Sequence, residues 1–439
     1  MSEFDFVVGD LQEGLDEIEL TRVHGRITEV IGMLIKAIMP HARMGEVCMI
    51  KRDGPPLLAE VVGFTKDEVF LSPLGEMSGI NPSSEVIPLN SSLRIKVGPA
   101  LLGRVLNGLG EPLDELEKGP LNLTESYPVI NSPPDPLKRK KITKPLSTGV
   151  RCIDGVLACG EGQRVGIFAA AGGGKSTLLG MIAKFARADV NVITLIGERG
   201  REVREFLEND LGPEGLARSV IIVSTSDQSA QLRINAAYVG TAIAEYFRDQ
   251  GKKVILMMDS VTRFARALRE IGLAAGEPPA RAGFTPSVFA ILPKLLERSG
   301  NSDVGSITAF YTILVAGDDM NEPVADEVRS ILDGHIILSS ELARQYHYPA
   351  IDVLSSVSRI LSHVVSKEQL ELIGKIREVL ANYKKNELLV RIGEYKPGSD
   401  KNADYALKFI DKVNRFLKQR VDEKCSLEET LQQLNMLFR

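Results

Sequence analysis

The sequence predicts an α/β domain on a parallel sheet, preceded by a small all-β domain and followed by a small helical one. Three observations carry that expectation. From Gly149 to about Ser340, apolar runs that read as buried strands alternate with helical segments. The first such run, Val165 to Phe168, passes through a small-residue loop, Ala169 to Gly174, into a helix that begins at Lys175-Ser176. Outside this region the periodicity changes, to short β-branched runs before it and to charged helical spacing after about Val364.

The chain has 439 residues, enough for two or three domains with a sizeable core. Its 44% hydrophobic and 25% charged residues are ordinary for a soluble globular protein. A net charge of −5 argues against a general polyanion-binding field, so no nucleic-acid partner is expected. The basic run Lys138-Arg-Lys-Lys141 is local and reads as a solvated linker. Cys48, Cys152, Cys159 and Cys425 lack C-x-x-C spacing, which suggests reduced structural thiols and neither a disulfide framework nor a zinc site. With no signal-peptide pattern and no apolar run long enough to span a bilayer, the expected location is cytoplasmic, any membrane association coming through partners.

In chain order, residues 1 to about 20 read either as an acidic amphipathic helix or as a frayed terminus. From Val23 to Val97, short strand-like runs (His24 to Ile31, Glu46 to Lys51, Leu57 to Val62, Val69 to Leu71, Ser92 to Val97) are separated by turns such as Asp53-Gly-Pro-Pro56. Strands so short and so evenly spaced suggest a small closed barrel or a sandwich. Residues 98 to about 148, rich in Gly and Pro, read as an extended, stiffened connection. The strand candidates that follow are Val165 to Phe168, Val190 to Ile196, Val220 to Ser224, Val254 to Met258, Ile307 to Val315 and His335 to Leu338. They are continuous apolar runs, as a sheet covered on both faces requires. Leu232, Ala236, Val239, Ile243 and Phe247 form one apolar stripe of a helix between two of them. At the end, Lys367 to Arg391 and Asn402 to Phe438 read as amphipathic helices broken at Tyr395-Lys-Pro-Gly398.

The strand, loop and helix around Lys175 form a phosphate-binding loop. Its glycines let backbone N–H groups wrap an anion with no Cβ in the way, and the helix turns its positive end to the same anion. Lys175 supplies charge for the β and γ phosphates, and the Ser176 hydroxyl is placed to ligate Mg²⁺. Ala169 stands where the motif G-x-x-x-x-G-K-[ST] begins with glycine. Hydrolysis needs three further groups: a metal anchor, a polarised water and charge to neutralise the γ-phosphoryl. Asp259 ends the apolar strand Val254 to Met258 and can hold Mg²⁺, although strand-ending aspartates are common. Glu198 directly follows the strand Val190 to Ile196, where it can deprotonate the attacking water; by charge alone, Gly197-Glu-Arg-Gly-Arg-Glu202 would read as a solvated loop. Arg359 is either a local salt-bridge residue or an arginine finger reaching a neighbouring subunit.

Together these motifs resemble the catalytic core of the rotary ATP synthase family, and within it the type III protein-export ATPases. The resemblance runs from about Gly98 to Arg359. Its carriers include Gly-Glu-Arg-Gly-Arg-Glu from Gly197, Asp-Ser-Val-Thr-Arg-Phe-Ala from Asp259, Gly-Glu-Pro-Pro-Ala-Arg from Gly276, Gly305 to Thr312 and Pro349 to Ser358. It implies a RecA-like P-loop ATPase core at residues 98–360, an N-terminal β-barrel for oligomerisation at 1–97, and a C-terminal helical domain for chaperone and substrate binding at 361–439. ATP and Mg²⁺ would be its cofactors. Ala171, Gly172, Gly173, Gly174, Lys175, Ser176 and Thr177 would hold the phosphates, with Ser176 and Asp259 on the metal. Glu198 would be the catalytic base, Arg199 and Arg263 would contact the phosphate region, Tyr348 would stack on adenine, and Arg359 would be the finger in trans.

Because Glu198 and Arg359 share one polypeptide, the resemblance further implies a homohexamer of identical sites. The run from Asp318 to Glu327 looks more like the injectisome type than the flagellar one. The implied function is ATP hydrolysis that detaches chaperones and unfolds secreted proteins at the cytoplasmic face of the inner membrane. Stalk and stator proteins and chaperone–effector complexes would be its partners. Flagellar export, a non-hydrolysing rotary subunit and an RNA translocase are the competing readings; the last would need a basic, aromatic platform that the N-terminal region does not offer.

Overall fold

The structure, a computed structural model, describes residues 24–170 and 172–438. The stretch read as an acidic helix or frayed terminus lies outside them. The described residues up to Leu93 form one compact unit and those from Arg94 a second.

The first unit is a closed barrel with strand order β1-β2-β5-β4-β3-β6. Its strands are β1 (Gly25–Ile31), β2 (Leu34–Ile38), β3 (Glu46–Ile50), β4 (Leu57–Phe64), β5 (Val69–Pro73) and β6 (Glu85–Ser92). Alternation builds it: along β4, Leu57, Ala59 and Val61 point into a core shared with Ile35, Ile50 and Leu71. A barrel, not a sandwich, results because β1 pairs with both β2 and β6 and leaves no free edge. The run Ser92 to Val97 divides at Leu93. Glu85–Ser92 closes the barrel, while Arg94–Val97 pairs in the second unit with Glu125–Pro128.

The second unit is built on a sheet of β7 (Arg164–Ala169), β8 (Val190–Ile196), β9 (Ser219–Ser224), β10 (Lys253–Asp259), β11 (Ser306–Leu314) and β12 (Gly334–Leu338). Their spatial order is β12-β7-β11-β10-β8-β9, all parallel. Each expected strand is present with its ends moved by one residue or not at all. The stiffened connection is more than a linker: Val105–Leu106 adds a parallel edge strand beside β9. Nor is the basic run wholly solvated, since Arg139 donates to the backbone carbonyls of Ser299, at 2.7 Å, and Glu297.

Helices α1 (Lys175–Phe185), α2 (Ala230–Asp249) and α3 (Val261–Ala274) cover this sheet. The expected stripe holds: Ala236, Val239, Ile243 and Phe247 of α2 are buried. After the sheet come α4 (Lys367–Arg391), α5 (Lys401–Leu417) and α6 (Leu427–Met436). Their apolar faces, with Ile373, Ile376, Phe409, Val413 and Phe416, join the core that contains Val150, Ile153 and Val156. The single helix expected over Asn402 to Phe438 is two, because residues 418–426 leave helical geometry and Ser426 and Glu429 start α6 with a reciprocal capping box. No helix among the described residues is long and apolar enough to cross a membrane.

Candidate active site

Parallel strands bring their C-terminal ends to one edge of the sheet, and the loops leaving β7, β8 and β10 meet there. From β7 the chain turns through Gly172 (φ 82°) and Gly174 (φ 81°) into α1, whose first residue is Lys175. Left-handed backbone at these points is why the loop needs glycine. Ala171 lies outside the described residues.

Asp259 ends β10, and the register that pairs Met258 with Tyr311 sets it beside Thr312 of β11. The Thr312 hydroxyl donates to Asp259 Oδ1 at 2.8 Å and so fixes the carboxylate. Beyond β8, Gly197 (φ 67°) swings the chain so that Glu198 turns back over the same edge. A Cβ at Gly197 would lie 3.3 Å from the Arg263 side chain, so glycine is also needed for that stem to pack.

Lys175 is the hub. Its Nζ donates to Asp259 Oδ1 at 2.5 Å and to Glu198 Oε1 at 3.3 Å. Burial works against the ammonium, yet the Asp259 and Glu198 carboxylates outweigh it and hold the Lys175 pKa above its ordinary value. Burial, with Glu198 adding to it, pushes the Asp259 carboxyl up despite Lys175. Two carboxylates sharing one ammonium are a donor set with charge to spare for a divalent cation.

Two observations show that the residues fit ATP and Mg²⁺. A cavity of about 20 Å³ lies between Ser176, Glu198 and Asp259, enough for one water or one ion. Arg263 Nε is buried without a hydrogen-bond partner among the described residues, as a guanidinium awaiting an anion would be. Next to the loop, Tyr348 comes within 3.8 Å of where a Gly174 Cβ would stand. With Tyr346, Arg151, Lys184 and Gln419 it lines an open cleft of about 910 Å³, room for a nucleoside.

The structure thus brings together Lys175, Ser176, Glu198, Asp259 and Arg263, with Tyr348 beside them. Arg199 stands apart: it is 75% exposed and its guanidinium lies 3.6 Å from Glu202. Arg359 lies at the other end of the sheet. Val357–Ser358 runs antiparallel to β12, Ser358 pairing with Gly334, whereas the phosphate loop leaves from Ala169, which pairs with Leu338. Four residue steps at ~3.3 Å separate those levels by about 13 Å, more than an arginine reaches within one chain. The Arg359 side chain is exposed and donates to the Arg329 carbonyl at 3.1 Å.

Sequence reasoning missed Gln419 and Arg151. The Gln419 N–H donates to the Tyr348 carbonyl at 2.9 Å, and its side chain accepts from the Arg151 N–H at 2.6 Å and donates to the Gly149 carbonyl at 2.8 Å. A glutamine in a charged helical stretch carries no signal of this. Thr312, by contrast, closes the motif that starts at Gly305 and was legible as part of it.

Comparisons with known proteins agree along the whole chain. Residues 149–358 match the model of the ATP synthase alpha/beta family, nucleotide-binding domain. Residues 27–90 match that family's beta-barrel domain, and residues 365–436 the T3SS EscN ATPase C-terminal domain. A type 3 secretion system ATPase of Xanthomonas euvesicatoria is 53% identical, the match covering 99% of this chain and 98% of that one. The flagellum-specific ATP synthase of Bacillus subtilis (strain 168) is 52% identical, over 97% of this chain and 98% of the relative. The assembled ATPase EscN from the type III secretion system of enteropathogenic E. coli superposes with a TM-score of 0.90 at 49% identity, covering 94% of this chain and 100% of that chain. EscN in complex with its central stalk EscO gives a TM-score of 0.88 at 48% identity, with the same coverage.

Proposed function

This chain is an ATP-hydrolysing P-loop enzyme that belongs to the ATP synthase alpha/beta family, among its type 3 secretion system ATPases, and from that premise we propose that it works as a homohexameric ring whose nucleotide sites are completed between neighbours. One observation carries the proposal: Lys175, Glu198 and Asp259 converge at one edge of the sheet, while Arg359 is exposed at the opposite end. An arginine that cannot reach its own phosphate loop is free to reach a neighbour's. The assembled state of EscN supports the ring, and its complex with EscO supports a stalk as partner.

In this reading a triphosphate competes with two carboxylates for Lys175. Once Lys175 turns to the β and γ phosphates, Glu198 loses its cation and becomes a better base for the attacking water. Ser176 and Asp259 would hold Mg²⁺, which when bound neutralises charge on the transferring phosphoryl group. Arg263 offers its unpartnered Nε to the phosphate oxygens, and Tyr348 stacks on the base. Arg359 of the adjoining subunit adds positive charge to the transition state, an effect on the order of 10³ to 10⁵ in rate. The work done would be the detachment of chaperones and unfolding of secreted proteins, at the cytoplasmic face of the inner membrane and with stalk and stator proteins.

Flagellar export is the second reading, because 52% identity to the Bacillus subtilis flagellum-specific ATP synthase nearly equals the 53% to the Xanthomonas type 3 secretion system ATPase. Mixing inactive Glu198→Ala and Arg359→Ala chains tests the shared site, because a mixed ring contains some interfaces with both groups intact. Phosphate release should return in the mixture. If it stays at the level of either variant alone while mixed rings form, the site is not shared.

A further inference from the structure

A second cavity, of about 170 Å³, lies between the segment Ser339 to Leu354 and the helices α4 and α5. Leu342, Ile351 and Val353 on one side and Leu380, Ile410 and Leu417 on the other give it an apolar patch, which shares the lining with the polar Gln345 and Asn414 and the charged Glu341, Asp352, Lys384 and Glu387. Into it faces His347, only 6% exposed, whose ring nitrogens have no hydrogen-bond partner among the described residues. Burial, with Lys418 nearby, pushes its pKa down to about 4, so the imidazole is neutral and keeps one nitrogen as an acceptor.

Volume and chemistry together limit the ligand. An apolar cavity of about 150 Å³ is known to hold a benzene-sized molecule, so this one has room for a single ring. The free imidazole nitrogen asks for a hydroxyl on that ring. Glu341, Asp352 and Glu387, against Lys384, leave the lining net negative and disfavour an anion.

We propose that this cavity is a second ligand site, which takes an uncharged phenol ring with its hydroxyl donating to His347. Its near wall carries Tyr348 on the neighbouring position, beside Gly174, so occupancy of the cavity and of the nucleotide cleft are coupled through one segment. The coupling rests on the nucleotide reading of Tyr348; phenol binding does not. The ring can arrive as a free phenol or as a tyrosine side chain of a partner.

Titrating the full-length protein with p-cresol, toluene and the peptide Gly-Tyr-Gly, by calorimetry or saturation-transfer NMR, tests the site directly. p-Cresol should bind saturably and on the order of fivefold more tightly than toluene, and His347→Leu should erase that preference. Leu342→Trp and Leu380→Phe, which fill the cavity from opposite walls, should each weaken p-cresol at least tenfold while retaining the native circular dichroism spectrum. Tighter binding of the peptide than of p-cresol would identify a protein partner as the source, and the reverse order a small molecule. Saturating p-cresol should change the ATP Kd about fivefold or more, and ATP should change the p-cresol Kd by the same factor. Absence of saturable p-cresol binding to the wild type overturns the site whatever the variants do. Binding that leaves the ATP Kd unchanged overturns the coupling but not the site.

Discussion

Lys175 is held by two acids at once, and this fixes what its neighbours can do. Removing the ammonium would leave Asp259 and Glu198 facing each other in a buried site, an arrangement that carboxylates resist. Glu198→Gln keeps the shape and removes only the base; ATP binding should persist while turnover falls by about 10² to 10⁴, measured as phosphate release beside fluorescent-nucleotide affinity. His347 provides a pH prediction. Its folded pKa, about 4, lies below the ordinary 6.5, so as pH falls below 6.5 the unfolded chain takes up a proton that the folded one refuses. Stability that is present above pH 6.5 is therefore lost on the way to pH 4. Lys418 holds the pKa down further, while Glu341, Asp352, Glu387 and Lys384 share the cavity lining. The thermal midpoint should fall over that interval in the wild type and fall less in His347→Leu; equal slopes would remove His347 as a contributor.

At the scale of elements, helix α2 shows how closely layers are fitted. It crosses β8 at Gly240, where an added Cβ would lie 2.0 Å from Thr194 Oγ1. Gly240→Ala gains helix propensity but must push helix from sheet, so we expect a net loss of about 1–3 kcal/mol, read as a lower denaturation midpoint in urea. The strands from β7 to β12 were legible because each is a continuous apolar run between turns, the mark of strands buried on both faces. Strands β2 and β6 were not. Leu34–Ile38 contains a lysine, and Glu85–Ser92 contains Pro88 and ends in polar residues, so neither shows the usual β-branched run. The break at 418–426 was hidden for another reason. It has no glycine or proline, and Gln419 and Arg151 hold it in place by contacts far apart in sequence.

For the whole molecule, the decisive feature is the separation between the phosphate loop and Arg359. If neighbours complete each other's sites, activity per chain depends on assembly and should rise steeply with protein concentration until rings predominate. Turnover measured across a dilution series, with sedimentation to follow the assembly, checks this. Specific activity that stays constant into the range of monomers would dismiss the shared site. The barrel and the nucleotide-binding unit are each complete in their own cores, so this dependence is one of function and need not be one of folding.

By itself the sequence determined the order of a small all-β domain, a parallel sheet and helices, the phosphate loop, and the residue types that attend it. These are set by local spacing: period two, period 3.6, continuous apolar runs, and glycines where the backbone must turn left-handed. Only the tertiary structure decided which of the named residues meet. Strand order set Asp259 against Thr312 and both acids on Lys175, the antiparallel edge strand carried Arg359 to the far end of the sheet, and helix packing enclosed His347. Those juxtapositions join residues scores of positions apart, and they follow from pairing and burial across the fold, which no local pattern records.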